Sequence, residues 1–267
     1  MILDVTSAAN PSVKRLKSLS DKKTRRLEGL FMAEGLRVCT EALEAGRLPS
    51  LLAVTPQAEA HPLGARLIAA SVAARAQVMR VTPILMSRIT GKDNAGGVAA
   101  AYPIPDTSLS QIDPASAPIW VVGENIRDPG NIGTMLRTCD ATGAGGLILL
   151  DNSADPFSVE AVRASMGAVF SRQVAQAGGA QFFDWARGKG QIVGAALEGR
   201  TIDYRAHKFT APSFLLMGNE QAGLPPEYAA RCDALVKLPM RGTADSLNVA
   251  VCAAVLLYQA LSQFEPL

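Results

Sequence analysis

Five short apolar runs punctuate the second half of the chain: "IWVVG" (119–123), "LILLD" (147–151), "IVGAAL" (192–197), "FLLMG" (214–218) and "ALVKLP" (234–239). Each is too short for a helix and too continuous for a strand with one wet face, so each predicts a strand buried on both sides. Between and after them, helical spacing fits about 131–142, 158–168, 180–187, 225–231 and 246–261. Strands that alternate with helices predict a mostly parallel sheet covered on both faces. The first half is less regular. "FMAEGLRVCTEALEAG" (31–46) has apolar positions near helical spacing and ends on Gly46 as a C-terminal cap. "LLAVTP" (51–56) and "VMRVTP" (78–83) read as strands, "ARLIAASVAARA" (65–76) as a helix, and "NAGGVAAAYP" (94–103) as a glycine turn followed by a strand. Together they predict a small α/β sandwich of about 70 residues.

Between the halves, "PIPDTSLSQIDPASAP" (103–118) holds four prolines and few large apolar residues, which marks a connection. The expected organisation is therefore residues 1–103, a linker over 104–118, and residues 119–267. With 48% apolar residues in 267, the chain can bury a sizeable core. No uncharged apolar run reaches the length of about 18 residues that a membrane span needs. The nearest, Leu247–Leu261, contains Asn248, Tyr258 and Gln259 and reads as a buried helix. The first residues, "MILDVTSAANP", have neither a basic start nor a long apolar stretch, so no secretory signal is expected.

Cys39, Cys139, Cys232 and Cys252 form no C-x-x-C pair, and the only histidines are His61 and His207. No metal site is expected, and scattered thiols of this kind suit the core of a reduced, cytoplasmic protein. The net charge of +2 says little. Its distribution says more: Lys14, Arg15, Lys17, Lys22, Lys23, Arg25 and Arg26 face only Asp4, Asp21 and Glu28 within the first 28 residues. Such a leader is either a solvated helix face or a phosphate-contacting surface.

Three polar stretches come directly after predicted strands. "GENIRDPGNIGTMLRTCDATGA" (123–144) crowds Asn125, Arg127, Asp128 and Asn131 into a turn. Arg137 lies further along the next helix, about 120° around its axis from Asn131. Neither G-x-G-x-x-G nor the P-loop pattern occurs, so dinucleotide or ATP binding by those modes has little support. Arg137 alone could equally be a helix residue paired with Asp140. "MGNEQAG" (217–223) puts Asn219 and Glu220 at the end of a buried strand, either as a plain turn or as part of a ligand site. "LPMRGTADSLNVAVCAAVLLYQAL" (238–261) runs from a strand end into a long apolar helix. Asp245 or Ser246 is the expected N-cap there, with Asn248 just inside the helix. Open α/β sheets bind ligands beyond the carboxyl ends of their strands, so these segments can converge on one site.

In order and spacing the three stretches resemble the three motifs of the SpoU/TrmH family of SPOUT methyltransferases. The likeness rests on the Asn131…Arg137 helix start, "MGNEQAGL" and "LPMRGTADSLNVA". "FMAEGLRVCTEAL" and "GGVAAAYP" are similar to that family's N-terminal domain, itself like small ribosomal RNA-binding proteins.

The resemblance implies an α/β fold: a C-terminal parallel-sheet SPOUT domain with a deep trefoil knot, preceded by the small ribosomal-protein-like substrate-binding domain. It also implies methylation of a ribose 2′-hydroxyl in structured RNA by S-adenosylmethionine. The RNA would be 23S-type ribosomal RNA, with tRNA as the alternative and a non-catalytic RNA-binding protein as a further one. By the family pattern the catalytic arginine falls on Arg137 and its companion asparagine on Asn131. The acid falls on Glu220, and the third motif's polar pair on Ser246 and Asn248. Cofactor contacts fall on Leu216, Met217, Gly218, Leu238, Pro239, Met240 and Leu247. The resemblance further implies a homodimer with the active site near the subunit interface, and no metal or membrane.

Overall fold

In a computed structural model, which describes residues 2–93, 95–197 and 199–264, the chain divides into two compact units. The first holds residues up to Pro105 together with Phe157–Ser171; the second holds Asp106–Pro156 and the chain from Arg172 onward.

The first unit contains β1 (Ile2–Val5), α1 (Pro11–Ser18), α2 (Lys22–Glu28), β2 (Leu30–Glu34), α3 (Leu36–Glu44), β3 (Leu51–Val54), α4 (Pro56–Ala60), α5 (Pro62–Ala73), β4 (Gln77–Val81), α6 (Pro83–Thr90) and β5 (Val98–Pro103). Its sheet has the order β1-β4-β3-β5-β2, with β5 antiparallel to both neighbours. Phe31–Glu34, predicted as the start of a helix, is instead strand β2. All but Glu34 are buried, and Phe31 pairs with Tyr102 in the ladder to β5. The helix begins only after Gly35, whose φ of 94° breaks the strand. Asn94, the first residue of the predicted glycine turn, lies outside the described residues.

Within the same unit, α8 (Val159–Ala164) and α9 (Ala168–Ser171) come from the later part of the chain. Aromatic packing draws them in: Phe31 stacks within 5.1 Å of Phe157 and 5.6 Å of Phe170, and Tyr102 meets Phe170 edge-on at 4.7 Å.

The second unit contains β6 (Ile119–Glu124), α7 (Pro129–Thr142), β7 (Gly146–Leu150), β8 (Gln173–Ala177), α10 (Gly179–Ala186), β9 (Gln191–Ala195), β10 (Thr201–Asp203), β11 (Ser213–Met217), α11 (Pro226–Ala229), β12 (Ala234–Lys237) and α12 (Val249–Phe264). Seven strands run parallel in the order β10-β12-β9-β11-β6-β7-β8. The inner strands β6, β7 and β11 are buried throughout, as their unbroken apolar runs require. Residues 106–118 dock on this unit: Leu109 and Ile112 join its core, and Pro114 accepts the Trp120 indole N–H at 3.2 Å.

The register of the ladder aligns the strand ends. Met217 lies beside Gly123 on one side and Ala195 on the other, and Val236 lies beside Ala195. Four neighbouring strands therefore end together, and the loops leaving them share one edge of the sheet.

Candidate active site

The first loop is fixed by the start of α7. Asp128 caps the helix, its side chain accepting from the Gly130 N–H at 2.7 Å, and Pro129 occupies the first turn. This brings Asn131 to the helix mouth, only 8% exposed. Its Nδ2 donates to Glu220 Oε1 at 2.9 Å. Its Oδ1 accepts from Asn248 Nδ2, also at 2.9 Å. One chain of hydrogen bonds thus joins residues from all three polar segments.

Asn248 corrects one expectation. It is not inside the helix, and neither Asp245 nor Ser246 caps it. Asn248 Oδ1 accepts from the N–H groups of Ala250 (3.0 Å) and Val251 (3.3 Å), so Asn248 is itself the cap of α12. Asparagine suits both tasks, because its oxygen satisfies the helix start while its amide nitrogen reaches Asn131.

Beside this chain lies a pocket of about 280 Å³. Met217, Gly218 and Glu220 line it from the second segment, and Leu238, Met240, Ser246 and Leu247 from the third. Leu216 and Pro239 are not among its lining residues, and Leu216 is fully buried in the sheet core. Leu238–Met240 lie outside any helix or strand. Ala195, Ala196 and Leu197, at the end of β9, form a wall that the sequence pattern does not reveal. The strand is legible there, but its place between β11 and β12 is not. Cys252 also lines the pocket, and burial pushes its thiol up to about 11, so it is neutral. Glu124, at the end of β6, is held above the usual carboxylate range, first by burial and then by the nearby charges of Asp151 and Glu227.

Arg137 stands apart. It is exposed on α7 and makes no hydrogen bond or ion pair among the described residues. Asp140, its suggested partner, instead accepts from Arg172 Nε at 2.9 Å. The fold of this chain gathers Asn131, Glu220 and Asn248, but does not join Arg137 to them. A larger cavity of about 460 Å³ occurs in the first unit, between residues of α3, α4 and α6 and Asp93, Ala95, Gly96 and Gly97. The second unit's pocket is the candidate active site because polar groups from three distant segments meet beside it. Among the described residues, no group of three or more His, Cys, Asp or Glu side chains could hold a metal ion.

A parallel sheet with a pocket beyond its strand ends, bordered by an Asn–Asn–Glu chain, defines an α/β protein built to hold and orient a ligand. The SpoU rRNA methylase family model matches residues 118–258, and a model described as an MRM3-like substrate binding domain matches residues 10–100. The chain is 31% identical to a 23S rRNA (uridine(2479)-2′-O)-methyltransferase of Streptomyces viridochromogenes, over 92% of this chain and 87% of that protein. It is 29% identical to the 23S rRNA (guanosine(2553)-2′-O)-methyltransferase RlmP of Bacillus subtilis, over 95% and 97%. A solved AdoMet-bound rRNA methyltransferase from Sinorhizobium meliloti superposes with a TM-score of 0.89 at 40% identity, covering 97% of each chain. The chain belongs to the SpoU rRNA methylase family.

Proposed function

We propose that this chain transfers a methyl group from S-adenosylmethionine to a ribose 2′-hydroxyl of large-subunit ribosomal RNA. The observation that carries the reading is the Asn248–Asn131–Glu220 chain beside a pocket at the strand ends, in a protein whose full-length relatives are 23S rRNA 2′-O-methyltransferases.

The pocket's residues fit the cofactor. Met217, Leu238, Met240 and Leu247 offer an apolar slot for a purine, and Glu220, Asp245 and Ser246 add polar groups that suit a cationic, hydroxylated ligand. Gly218 keeps the strand end tight: a Cβ there would sit 2.3 Å from the Gly223 carbonyl carbon. Leu216 and Pro239 would act through their backbones. S-adenosylmethionine supplies an electrophilic methyl on a sulfonium. The protein's task is to aim a weak nucleophile at it. Asn131 is held at both ends of its amide, so it would present a fixed surface to the ribose, with Asn248 bonded to it and Ser246 on the pocket lining. Arg137 carries a planar guanidinium whose donors suit phosphate and oxyanion oxygens. Its role is to stabilise the developing negative oxygen and clamp the neighbouring phosphate, rather than to take the proton.

Arg137 has no partner among the described residues, and Val251 (49% exposed) and Tyr258 (54%) lie open on α12. These features support a homodimer in which the arginine meets its site at the interface. α12 comes after β12 and packs on α7, and a trefoil-knotted path for this part of the chain belongs to the same proposal.

The RNA reading draws on α1 and α2. Arg15 is paired with Glu28 at 2.6 Å, and Arg25 is buried, donating to the carbonyls of Leu19 and Ser20. Those two shape the helical pair. Lys14, Lys17, Lys22, Lys23 and Arg26 are exposed, and they suit a phosphate backbone. A ribosomal RNA substrate would place the protein in the cytoplasm. Among the described residues no helix is long and apolar enough to cross a membrane.

The test is twofold: calorimetry with S-adenosylmethionine, and mapping of ribose methylation across ribosomal RNA in a deletion strain. Absence of binding heat together with an unchanged methylation map would remove the proposal. A lost tRNA methyl group instead would move the substrate.

A further inference from the structure

Asn219 commits its side-chain amide to two separate pieces of backbone. Its Oδ1 accepts from the N–H of Gln221 at 2.9 Å and of Ala222 at 3.1 Å. Its Nδ2 donates to the carbonyl of Asn125 at 2.8 Å and lies 3.5 Å from Glu220 Oε2. The main chain closes the same loop from outside: Asn219 and Gly223 exchange both backbone hydrogen bonds, at 3.0 and 2.9 Å. Gly223 completes it with a φ of 69°. Asn125, which receives the amide, also has a positive φ, 52°, so its carbonyl points where an ordinary strand residue would not aim it.

We propose that Asn219 is the positioning residue of this pocket, with a distinct task for each end of its amide. Oδ1 sets the 219–223 turn, whose Gln221 and Gly223 line the pocket. Nδ2 docks that turn on Asn125, so that Glu220 arrives within hydrogen-bond distance of Asn131. Only a short side chain carrying an acceptor and a donor on one planar group does both. Aspartate keeps the acceptor and loses the donor, and alanine loses both. The kinetic consequence rests on the methyl-transfer reading; the structural consequence does not.

Asn219→Ala and Asn219→Asp separate the two tasks. In the protein without cofactor, amide hydrogen exchange at Gln221 and Ala222 is expected to quicken about tenfold in Asn219→Ala and to stay near wild type in Asn219→Asp. Unchanged exchange in β6 and β11 distinguishes this from a folding defect. By calorimetry, Asn219→Ala is expected to bind S-adenosylmethionine about tenfold more weakly, while Asn219→Asp stays within about threefold. The aspartate's carboxylate faces the Asn125 carbonyl and Glu220, pushing Glu220 off Asn131, so its loss falls on kcat, again about tenfold. Unaltered exchange at Gln221 and Ala222 in Asn219→Ala would overturn the assignment. So would equal losses of binding and of kcat in both variants. If the wild-type protein gave no heat with S-adenosylmethionine, the methyl-transfer reading would fall, and the exchange pattern would still decide the role of Asn219.

Discussion

Carboxylates beside the sheet of the first unit and at the strand-end site of the second are held in opposite ways. In the first, carboxylates near the sheet are neutralised by cations of the same unit. Glu59 takes two hydrogen bonds from Arg80, at 2.6 and 2.7 Å, and is held below the usual carboxylate range chiefly by them. The same arginine reaches Asp4 at 2.8 Å, and Glu34 pairs with Lys92 and Arg163. At the carboxyl ends of β6 and β11 in the second unit, Glu220 accepts from an asparagine instead of a cation and Glu124 is buried near other acids, while Arg137, further along α7, has no partner among the described residues. Residues paired within the fold are available for little else. Those without a partner of opposite charge mark the edge at which a ligand completes the electrostatics.

The hardest way to break this comparison is to remove the unpaired cation. Arg137→Ala is expected to lower methyl transfer by a factor of about 10²–10³, the usual effect of deleting a group that stabilises a developing oxyanion. Because Arg137 holds no hydrogen bond or ion pair among the described residues, folding and S-adenosylmethionine affinity should be unchanged. Tritium transfer paired with calorimetry checks both, and near-normal turnover would return Arg137 to the role of an ordinary surface residue.

A smaller effect is expected from the first unit, where charge acts at the surface. Replacing Lys22 and Lys23 together with glutamine should raise KM for RNA about tenfold and leave kcat in place. It should also flatten the plot of log affinity against log salt by about 2 if both lysines meet phosphates. An unchanged salt slope would make α2 a merely solvated helix.

Legibility in the amino-acid pattern divides along the same line. β6, β7, β9, β11 and β12 announce themselves because inner parallel strands are apolar throughout. β1, β8 and β10 escape the pattern. Each lies at a sheet edge or, like "QVAQA" and "TID", carries polar residues where solvent reaches it. α6 escapes it too, despite a Thr82 cap and Pro83 in its first turn, because its apolar stretch adjoins a strand. The aromatic attraction that carries 157–171 into the first unit involves Phe31, more than a hundred residues away, which no local pattern encodes. In the site, residue types and order are legible for Asn131, Glu220 and Asn248, but their mutual bonds are not. Asp245 and Ser246 are as good as Asn248 for a helix cap by type. What separates them is that Asn248 also reaches Asn131.

The mildest test sharpens the contrast at one buried acid. Glu124 is 6% exposed. Burial, reinforced by Asp151 and Glu227, raises its folded value above the ordinary 4.5, against opposing pulls first from the backbone N–H of Asn219 and then from Arg127. The folded protein therefore holds this proton more tightly than the unfolded chain does. Glu124's contribution is complete below about pH 4.5 and is lost as pH climbs through the raised value, because an ionised carboxylate must then be kept in a poorly solvated place. Glu124→Gln keeps the shape and removes the charge. It is expected to stabilise the second unit at pH 8, with the gain fading toward zero near pH 4. The chain's two tryptophans, Trp120 and Trp185, both lie in that unit, so denaturant unfolding monitored by their fluorescence reports on it selectively. A gain that stayed constant across pH would locate the effect in packing. A loss at pH 8 would mean that the charge at this strand end is held by a partner as firmly as Glu59 is held by Arg80, and the contrast between the units would fail at that residue.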